Sequence, residues 1–431
     1  MPVTILVGAQ WGDEGKGRVA DWLAADSDIV ARYAGGDNAG HTVVVGEQVT
    51  KLRLMPSGIL QDHVTCVLGN GQVVNPISLL KEMDDLAAAG IDVTPHRVIL
   101  STRAHIITPA HIALDKADEM ARGKSAIGTT QRGIGPAYMD KTGRTGIRAG
   151  QMRDVEQFAE ALYQHIRAAN EKLAYLGAEP LNPQQAAEEY LEAAVRLRPY
   201  LQDTALYVNR RLKDGARVLC EGAQGSLLDL DHGDYPFVTS SSPTAGGALT
   251  GLGFGPMSVD RVVGVAKAYA TRVGSGPMPT ELNDEIADRL RGTGENFWDE
   301  YGTVTRRPRR CGWFDAVMLR YTAMINGFTE LILTKLDILT GLDAIRVAVA
   351  YELDGQRITE PPSRIEELER AAPVYETFSG WSEPIDRART AGDLPEAVLT
   401  YVKRLEALVE VPIRTLSVGP ERDQLVDLSG S

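Results

Sequence analysis

Ten residues near the start of the chain, Gly8-Ala-Gln-Trp-Gly-Asp-Glu-Gly-Lys-Gly17, combine four glycines, one lysine and two carboxylates directly after the apolar run Val3–Val7. Glycines at 8, 12, 15 and 17 let the backbone take positive φ and bring its N–H groups against an anion. A helix opening at Lys16 and running to Leu23 would add its positive dipole end, and Lys16 itself a point charge. The segment departs from the Walker pattern G-x-x-x-x-G-K-[ST]: Gln10 stands where the first glycine belongs, and Gly17 where a magnesium-binding hydroxyl is expected. Asp13 and Glu14 would repel a phosphate unless they bind a metal or take a proton. The loop therefore reads as a phosphate cradle with chemistry built in.

Three further constellations have the right chemistry to serve it. Gly35-Gly-Asp-Asn-Ala-Gly-His41-Thr sets an imidazole, which titrates near neutral pH, in a second glycine-rich turn, as a candidate proton donor or phosphate ligand. Thr334-Lys-Leu-Asp337 is similar to the guanine-reading N-K-x-D motif with Thr in place of Asn; a carboxylate can accept from both the ring N–H and the exocyclic amine of guanine, and adenine offers the wrong pattern. Thr303-Val-Thr-Arg-Arg307-Pro-Arg309-Arg places four arginines in five positions, which in an acidic protein suits a loop that clamps carboxylates or phosphates. Gly128-Thr-Thr130-Gln-Arg-Gly-Ile-Gly-Pro136, followed by Arg144 and Arg148, has the same character, and its glycine density suggests a mobile loop.

The elements that must position these groups follow an alternation of β-rich apolar runs and amphipathic helical stretches, the pattern of an α/β fold with a large, mostly parallel central sheet flanked by helices. Asn75 caps a helix with Pro76 at its first position and Leu79, Leu80, Met83 and Leu86 on its apolar face, ended by Gly90. Helices are expected over 154–176, 184–201 and 204–213, so 150–215 reads as a helical excursion from a single domain spanning 1–431. Four apolar runs, Ile5–Val7, Val218–Cys220, Leu331–Leu333 and Ile413–Leu416, each lead at once into glycine or polar residues. In an open parallel sheet ligands bind beyond the carboxyl ends of strands, so these four endings are expected to line one crevice.

The 431 residues, 43% hydrophobic and 24% charged, carry a formal charge of −13, which argues against nucleic acid as a partner and makes any anion site local. Cys66, Cys220 and Cys311 are widely spaced with no C-x-x-C pair, and read as inert thiols. No leader pattern is evident and no apolar run approaches the ~18–20 residues of a membrane span, so a cytoplasmic protein with no membrane partner is expected.

Taken together the motifs resemble the adenylosuccinate synthetase family, whose members use GTP to join aspartate to IMP. The resemblance runs in order through Gln10–Gly17, Asn38-Ala-Gly-His41-Thr, Ile127-Gly-Thr-Thr130, Arg132–Tyr138, Glu221-Gly-Ala-Gln224-Gly, Arg272–Leu282, Thr334–Asp337 and Ser417-Val-Gly-Pro420. It implies that Asp13 removes the N1 proton of IMP, so that O6 attacks the γ-phosphate of GTP. His41 would act as acid toward the transferring phosphoryl group, and Lys16 and Gln224 would stabilise the developing charge. It further implies Mg2+ on the Asp13 carboxylate and the Gly40 carbonyl. IMP would meet Asp13, Lys16, Asn38, Ala39, Gly40, His41, Thr130, Gln224, Thr239 and Arg307, with Arg144 supplied by the other subunit of a homodimer. Thr303, Val304, Thr305, Arg306 and Arg307 match the loop that closes over aspartate. The matching GTP contacts are Gly12, Asp13, Glu14, Gly15, Lys16, Gly17, Gly40, His41, Thr42, Arg309, Lys335, Leu336, Asp337, Ser417, Val418 and Gly419. The family usually shows glycine where this chain has Arg306.

Two other readings compete on residues alone. A guanine-nucleotide switch would need only the phosphate loop and Lys335/Asp337, but leaves Asp13, His41 and the arginine loop without a task and lacks the hydroxyl after the loop lysine. An ATP-driven carboxylate–amine ligase accounts for the two anion loops and leaves Asp337 unused.

Overall fold

The computed structural model describes residues 3–38, 40–45, 48–123, 127–302 and 307–429. Its first strand, β1 (Val3–Gly8), is apolar on both faces, as a strand covered by helices on either side must be. Ile5 and Val7 point into one hydrophobic cluster and Leu6 into a second across the sheet, following the two-residue period of a strand. Among the described residues the sheet has ten strands. In spatial order they are Leu425–Asp427, Ile413–Ser417, Glu330–Thr334, Val259–Lys267, β1, Val218–Glu221, Ile29–Arg32, Thr65–Leu68, Val98–Ser101 and Leu201–Gln202. Only Leu425–Asp427 runs antiparallel to its neighbour.

The order explains where a ligand would bind. After β1 the chain builds outward on one side to Leu201–Gln202, returns to fill the place beside β1 with Val218–Glu221, and then crosses to build the other side from Val259–Lys267. The sheet reverses direction at β1, and the four endings singled out from sequence belong to strands at or near that reversal. This is the crevice in which open parallel sheets place their ligands.

The helices follow their caps. Asn75 accepts from the N–H groups of Ile77 (3.0 Å) and Ser78 (3.3 Å), and the helix Pro76–Ala88 buries Leu79, Leu80, Met83 and Leu86 as its spacing implies. Asp154 and Asp203 cap Val155–Tyr175 and Thr204–Lys213 in the same way. The helix expected over 184–201 occupies Pro183–Leu197 instead. Pro199 has no N–H to continue the helical ladder, so Arg198–Tyr200 tightens into a 3-10 turn and Leu201–Gln202 becomes an edge strand paired with Leu100 and Ser101. A second sheet, formed by Phe314–Asp315, Ala344–Leu353, Gln356–Ile358 and Ala372–Ser379, packs at the flank. Cys66, Cys220 and Cys311 are buried free thiols. No helix among the described residues is long and apolar enough to cross a membrane.

Candidate active site

The loop after β1 is built around Glu14, a carboxylate with no solvent exposure. Its Oε1 accepts from the N–H groups of Gln10 (3.1 Å) and Gly12 (2.9 Å), and its Oε2 pairs with Lys16. Glu14 therefore folds the loop around itself and fixes the lysine, a role its sequence position inside a phosphate loop conceals. Space is tight: a Cβ at Gly8 would lie 2.5 Å from Glu14 Oε2 and 2.7 Å from Lys16 Nζ. Gly15, at φ 93°, caps α1 (Lys16–Ala24), which opens where the glycine pattern implies. A Cβ at Gly17 would stand 2.7 Å from the Cβ of His41. The departure from the Walker pattern thus has a steric cause, since the hydroxyl-bearing side chain of a Walker loop would collide with the histidine.

His41 is held from behind. Its Nδ1 faces Glu221 Oε1, which also accepts from Ser57 Oγ (2.8 Å), while Glu221 Oε2 accepts from Ser57 N–H (2.7 Å). A carboxylate is acceptor-only when ionised, so Nδ1 carries the proton of this bond and Nε2 is the nitrogen left for a ligand. Burial and then the Arg32 cation lower the proton affinity of His41, and Glu221 works against both. Burial also opposes the charge on Glu221, yet His41, Arg32 and the Ser57 N–H together hold its carboxyl below the usual range. Across the cleft Gln224 Nε2 donates to Asn38 Oδ1 (3.4 Å), and Gln224 Oε1 is buried without a partner among the described residues. That orphan acceptor leaves the amide's capacity open to a ligand.

Asp13, 31% exposed at its side chain, points into the cleft and pairs with Arg309 Nε (3.0 Å). The other end of the cleft is made by the last two strand endings. Thr334, standing where the guanine motif usually has Asn, donates its hydroxyl to the Glu14 carbonyl (2.6 Å) and so ties this end to the phosphate loop. Burial pushes the Asp337 carboxyl up, with Lys335 and Arg18 as opposing cations. Arg18 reaches from α1 to Ser417 Oγ (2.9 Å) and the carbonyls of Gly419 and Gln424, shaping the last loop. Phe297 and Trp298, packed edge to face and partly exposed, form the wall beside Lys335.

Two acids hold the backbone of the threonine loop. Glu119 accepts from the N–H groups of Ile127, Gly128 and Thr129, and Asp115 from Thr129 Oγ1 (2.8 Å) and Gly133 N–H (2.8 Å). Both acids sit on the helix Pro109–Arg122, whose polar positions gave no such signal in the sequence.

Asp13, Lys16, His41, Gln224, Arg309, Lys335 and Asp337 face one cleft of about 420 Å³, lined also by Gly12, Glu14, Gly15, Gly17, Asn38, Gly40, Thr130, Thr239, Ser417 and Gly419. Leu336 and Val418 turn fully buried side chains into the hydrophobic core, leaving only their backbone to offer. Arg307 is exposed, with Nη1 within 3.6 Å of a Cβ at Gly128. Arg144 is exposed at the end of the helix Ile134–Gly143 and is not part of this lining. Ala39, Thr303, Val304, Thr305 and Arg306 lie outside the described residues, as does the side chain of Thr42. Glu221, Arg18, Asp115 and Glu119 are the site-building residues that sequence reasoning gave no task. The partners of Glu221 and Arg18 are remote along the chain, those of Asp115 and Glu119 lie 8 to 18 residues on, and Glu221 alone carried a hint, as the first residue of the Glu221–Gly225 motif.

Backbone strain marks the same place. Among the described residues seven non-glycines have positive φ; Asp13 (59°), Gln224 (56°) and Lys335 (62°) line the cleft, and Arg144 (66°) stands outside it. Such conformations cost about 1–3 kcal/mol each and persist where the surroundings enforce them.

The family model of adenylosuccinate synthetase matches residues 5–426. The adenylosuccinate synthetase of Moorella thermoacetica is 52% identical to this chain over 429 residues, with 99% of each covered. That of Thermobifida fusca is 50% identical, also with 99% of each covered. The solved structure of a fully ligated adenylosuccinate synthetase from Plasmodium falciparum superposes with a TM-score of 0.94 at 38% identity, covering 99% of this chain and 100% of that one.

Proposed function

The chain belongs to the adenylosuccinate synthetase family, and on that premise we propose how its cleft performs the GTP-dependent ligation of L-aspartate to IMP that yields adenylosuccinate, GDP and phosphate. The observation that carries the assignment of residues is convergence: Asp13, Lys16, His41 and Gln224 meet at one end of a single cleft, with Lys335 and Asp337 at the other.

Asp13 takes the N1 proton of IMP, and the electron pair released to O6 attacks the γ-phosphorus of GTP. The bond from that phosphorus to the β–γ bridging oxygen breaks, and GDP leaves. Lys16 and the Nε2 of His41 face the charge on the transferring phosphoryl group, and the second N–H of Gln224 Nε2 donates to O6. The amine of aspartate then adds at C6 and phosphate departs from the 6-phosphoryl intermediate. Asn38, Thr130 and Thr239 hold IMP, Thr303 to Arg307 receive aspartate, and Lys335, Asp337, Ser417 and Gly419 hold the guanine end.

The donor set fits Mg2+, a hard cation that takes oxygen ligands and keeps several for substrate phosphates. Asp13 has one oxygen on Arg309 and a second free of that pair, and the neighbouring Gly40 backbone also lines the cleft. Bound there, the ion supplies charge neutralisation at the phosphates.

Arg144 completes IMP binding from a second copy of the chain. Supporting this reading are its exposure and its position outside its own cleft lining. Dilution that dissociates the dimer is expected to lower specific activity before circular dichroism registers any loss of fold; constant activity across the dissociation range would remove Arg144 from the site. We take residues 1–431 as one domain, with 150–215 as a helical excursion, and place the reaction in the cytoplasm on the nature of its substrates.

The direct test supplies IMP, aspartate and Mg2+ with either GTP or ATP. Adenylosuccinate is expected with GTP; GTP hydrolysis with no IMP consumed would overturn the reading. Asp337→Asn is expected to move preference from GTP toward xanthosine triphosphate by about one to two decades, because an amide donor suits the extra carbonyl. An unchanged ratio of kcat/KM values would mean that the carboxylate does not read the base.

A further inference from the structure

We infer that Glu300 is a positioning residue that joins the two ends of the GTP site through a single buried carboxylate. The inference rests on Lys335 holding the guanine end, as proposed above, and on Arg309 as the GTP contact that the family resemblance implies. Glu300 has no solvent exposure. Its Oε2 accepts from Arg309 Nη1 (2.6 Å) and from Lys267 Nζ (2.7 Å). Its Oε1 accepts from Tyr269 O–H (2.7 Å) and lies 3.8 Å from Lys335 Nζ. Arg309 turns its remaining edge, Nε, to Asp13. A continuous line of opposite charges thus runs from the base-side lysine through Glu300 and Arg309 to the carboxylate at the phosphoryl end.

The main chain adds to the same link. Arg309 N–H donates to the Glu300 carbonyl (2.8 Å), and Glu300 N–H to that of Arg291 (2.8 Å), so the carboxylate stands on a fixed backbone. The backbone carbonyl of Trp298, two residues away, accepts from Lys335. Lys335 and Arg309 therefore share one short segment as their anchor.

Three cations, Lys267, Arg309 and Lys335, surround this one carboxylate in a region of low dielectric. Without it they would repel one another, and the two long side chains that border the cleft would turn toward water. The strain is visible at Lys267, where burial, the largest influence, and the neighbouring Arg309 and Lys335 bring the pKa down to about 8 against the pull of Glu300. With Glu300 in place, Arg309 and Lys335 are set before the nucleotide arrives, and ordering them does not subtract from binding. A carboxylate needed only for packing would act on all ligands alike, whereas a link between these two residues acts on GTP.

The test is Glu300→Gln in the full-length protein, with titration calorimetry of a non-hydrolysable GTP analogue and, separately, of IMP, both with Mg2+. The analogue is expected to bind about tenfold more weakly, with IMP affinity within about twofold of the parent. Analogue affinity within twofold, or equal weakening of both ligands, overturns the inference. Should Glu300→Gln not fold, Tyr269→Phe removes one donor to Oε1 and leaves the carboxylate in place. It is expected to weaken the analogue about threefold and IMP not at all; an unchanged analogue affinity overturns the inference equally.

Discussion

Asp13→Asn is expected to cut turnover by about 10²–10⁴-fold while GTP and IMP still bind, the range that a positioned general base contributes. The substitution is well suited to isolate the chemistry. Asp13 sits at φ 59°, and asparagine is among the few residues that tolerate the left-handed region, so the loop need not move. The pair with Arg309 Nε is weakened, but Arg309 keeps its bond to Glu300. Single-turnover measurement of 6-phosphoryl formation, alongside titration of nucleotide binding, separates the two effects. Turnover within a few-fold of the parent would remove Asp13 as the base.

Glu221→Gln has the second largest expected effect, about 10²-fold in kcat, although Glu221 touches no substrate in the proposed mechanism. The ionised carboxylate accepts from Ser57 N–H, Ser57 O–H and His41 Nδ1. An amide has one accepting atom, so either Ser57 or the histidine loses its partner, at a cost of about 1–3 kcal/mol for a buried group. The pH profile discriminates a positioning role from general destabilisation. Glu221 raises the proton affinity of His41, while burial and Arg32 lower it. Its removal therefore lowers the histidine's pKa further. The protonated form that donates through Nε2 then persists only to a lower pH, and the alkaline fall of kcat should move downward. A profile that keeps its shape and merely loses amplitude would assign Glu221 a purely structural task.

The sequence made the binding crevice legible because its signals are local. Glycines beside Lys16, the cap at Asn75 and the four apolar runs ending in polar residues all act within a few positions; of the loop glycines, Gly12 and Gly15 take the expected positive φ, whereas Gly8 and Gly17 do not and serve close packing instead. The end of the helix at Leu197 is not legible because the spacing of apolar residues carries on to Leu201, whereas Pro199 and pairing with the Val98–Ser101 strand decide the conformation. The groups behind the site were illegible for a different reason. Glu221 serves a histidine 180 residues away, and Arg18 serves loops about 400 residues away, so their meaning arises only when the sheet closes. Glu14 is the instructive case among the near neighbours. Its partners are two to four residues distant, but its carboxylate turns inward to the backbone, and a side chain's direction cannot be read from its type.

The left-handed residues bear on how this protein can be made to withstand heat. Glycine at Asp13, Gln224 or Lys335 would relax the backbone by about 1 kcal/mol or more at each position. A selection that rewards survival at high temperature and ignores product would accumulate glycine there and return a sturdier, inert protein. Glu410 ends the helix Glu396–Val409 in the same conformation, and Asp354 occupies a hairpin tip; both are exposed and outside the cleft lining. Relief of strain at those two turns raises resilience where the chemistry has nothing to lose, so the protein's tolerance to improvement is divided by location within one fold.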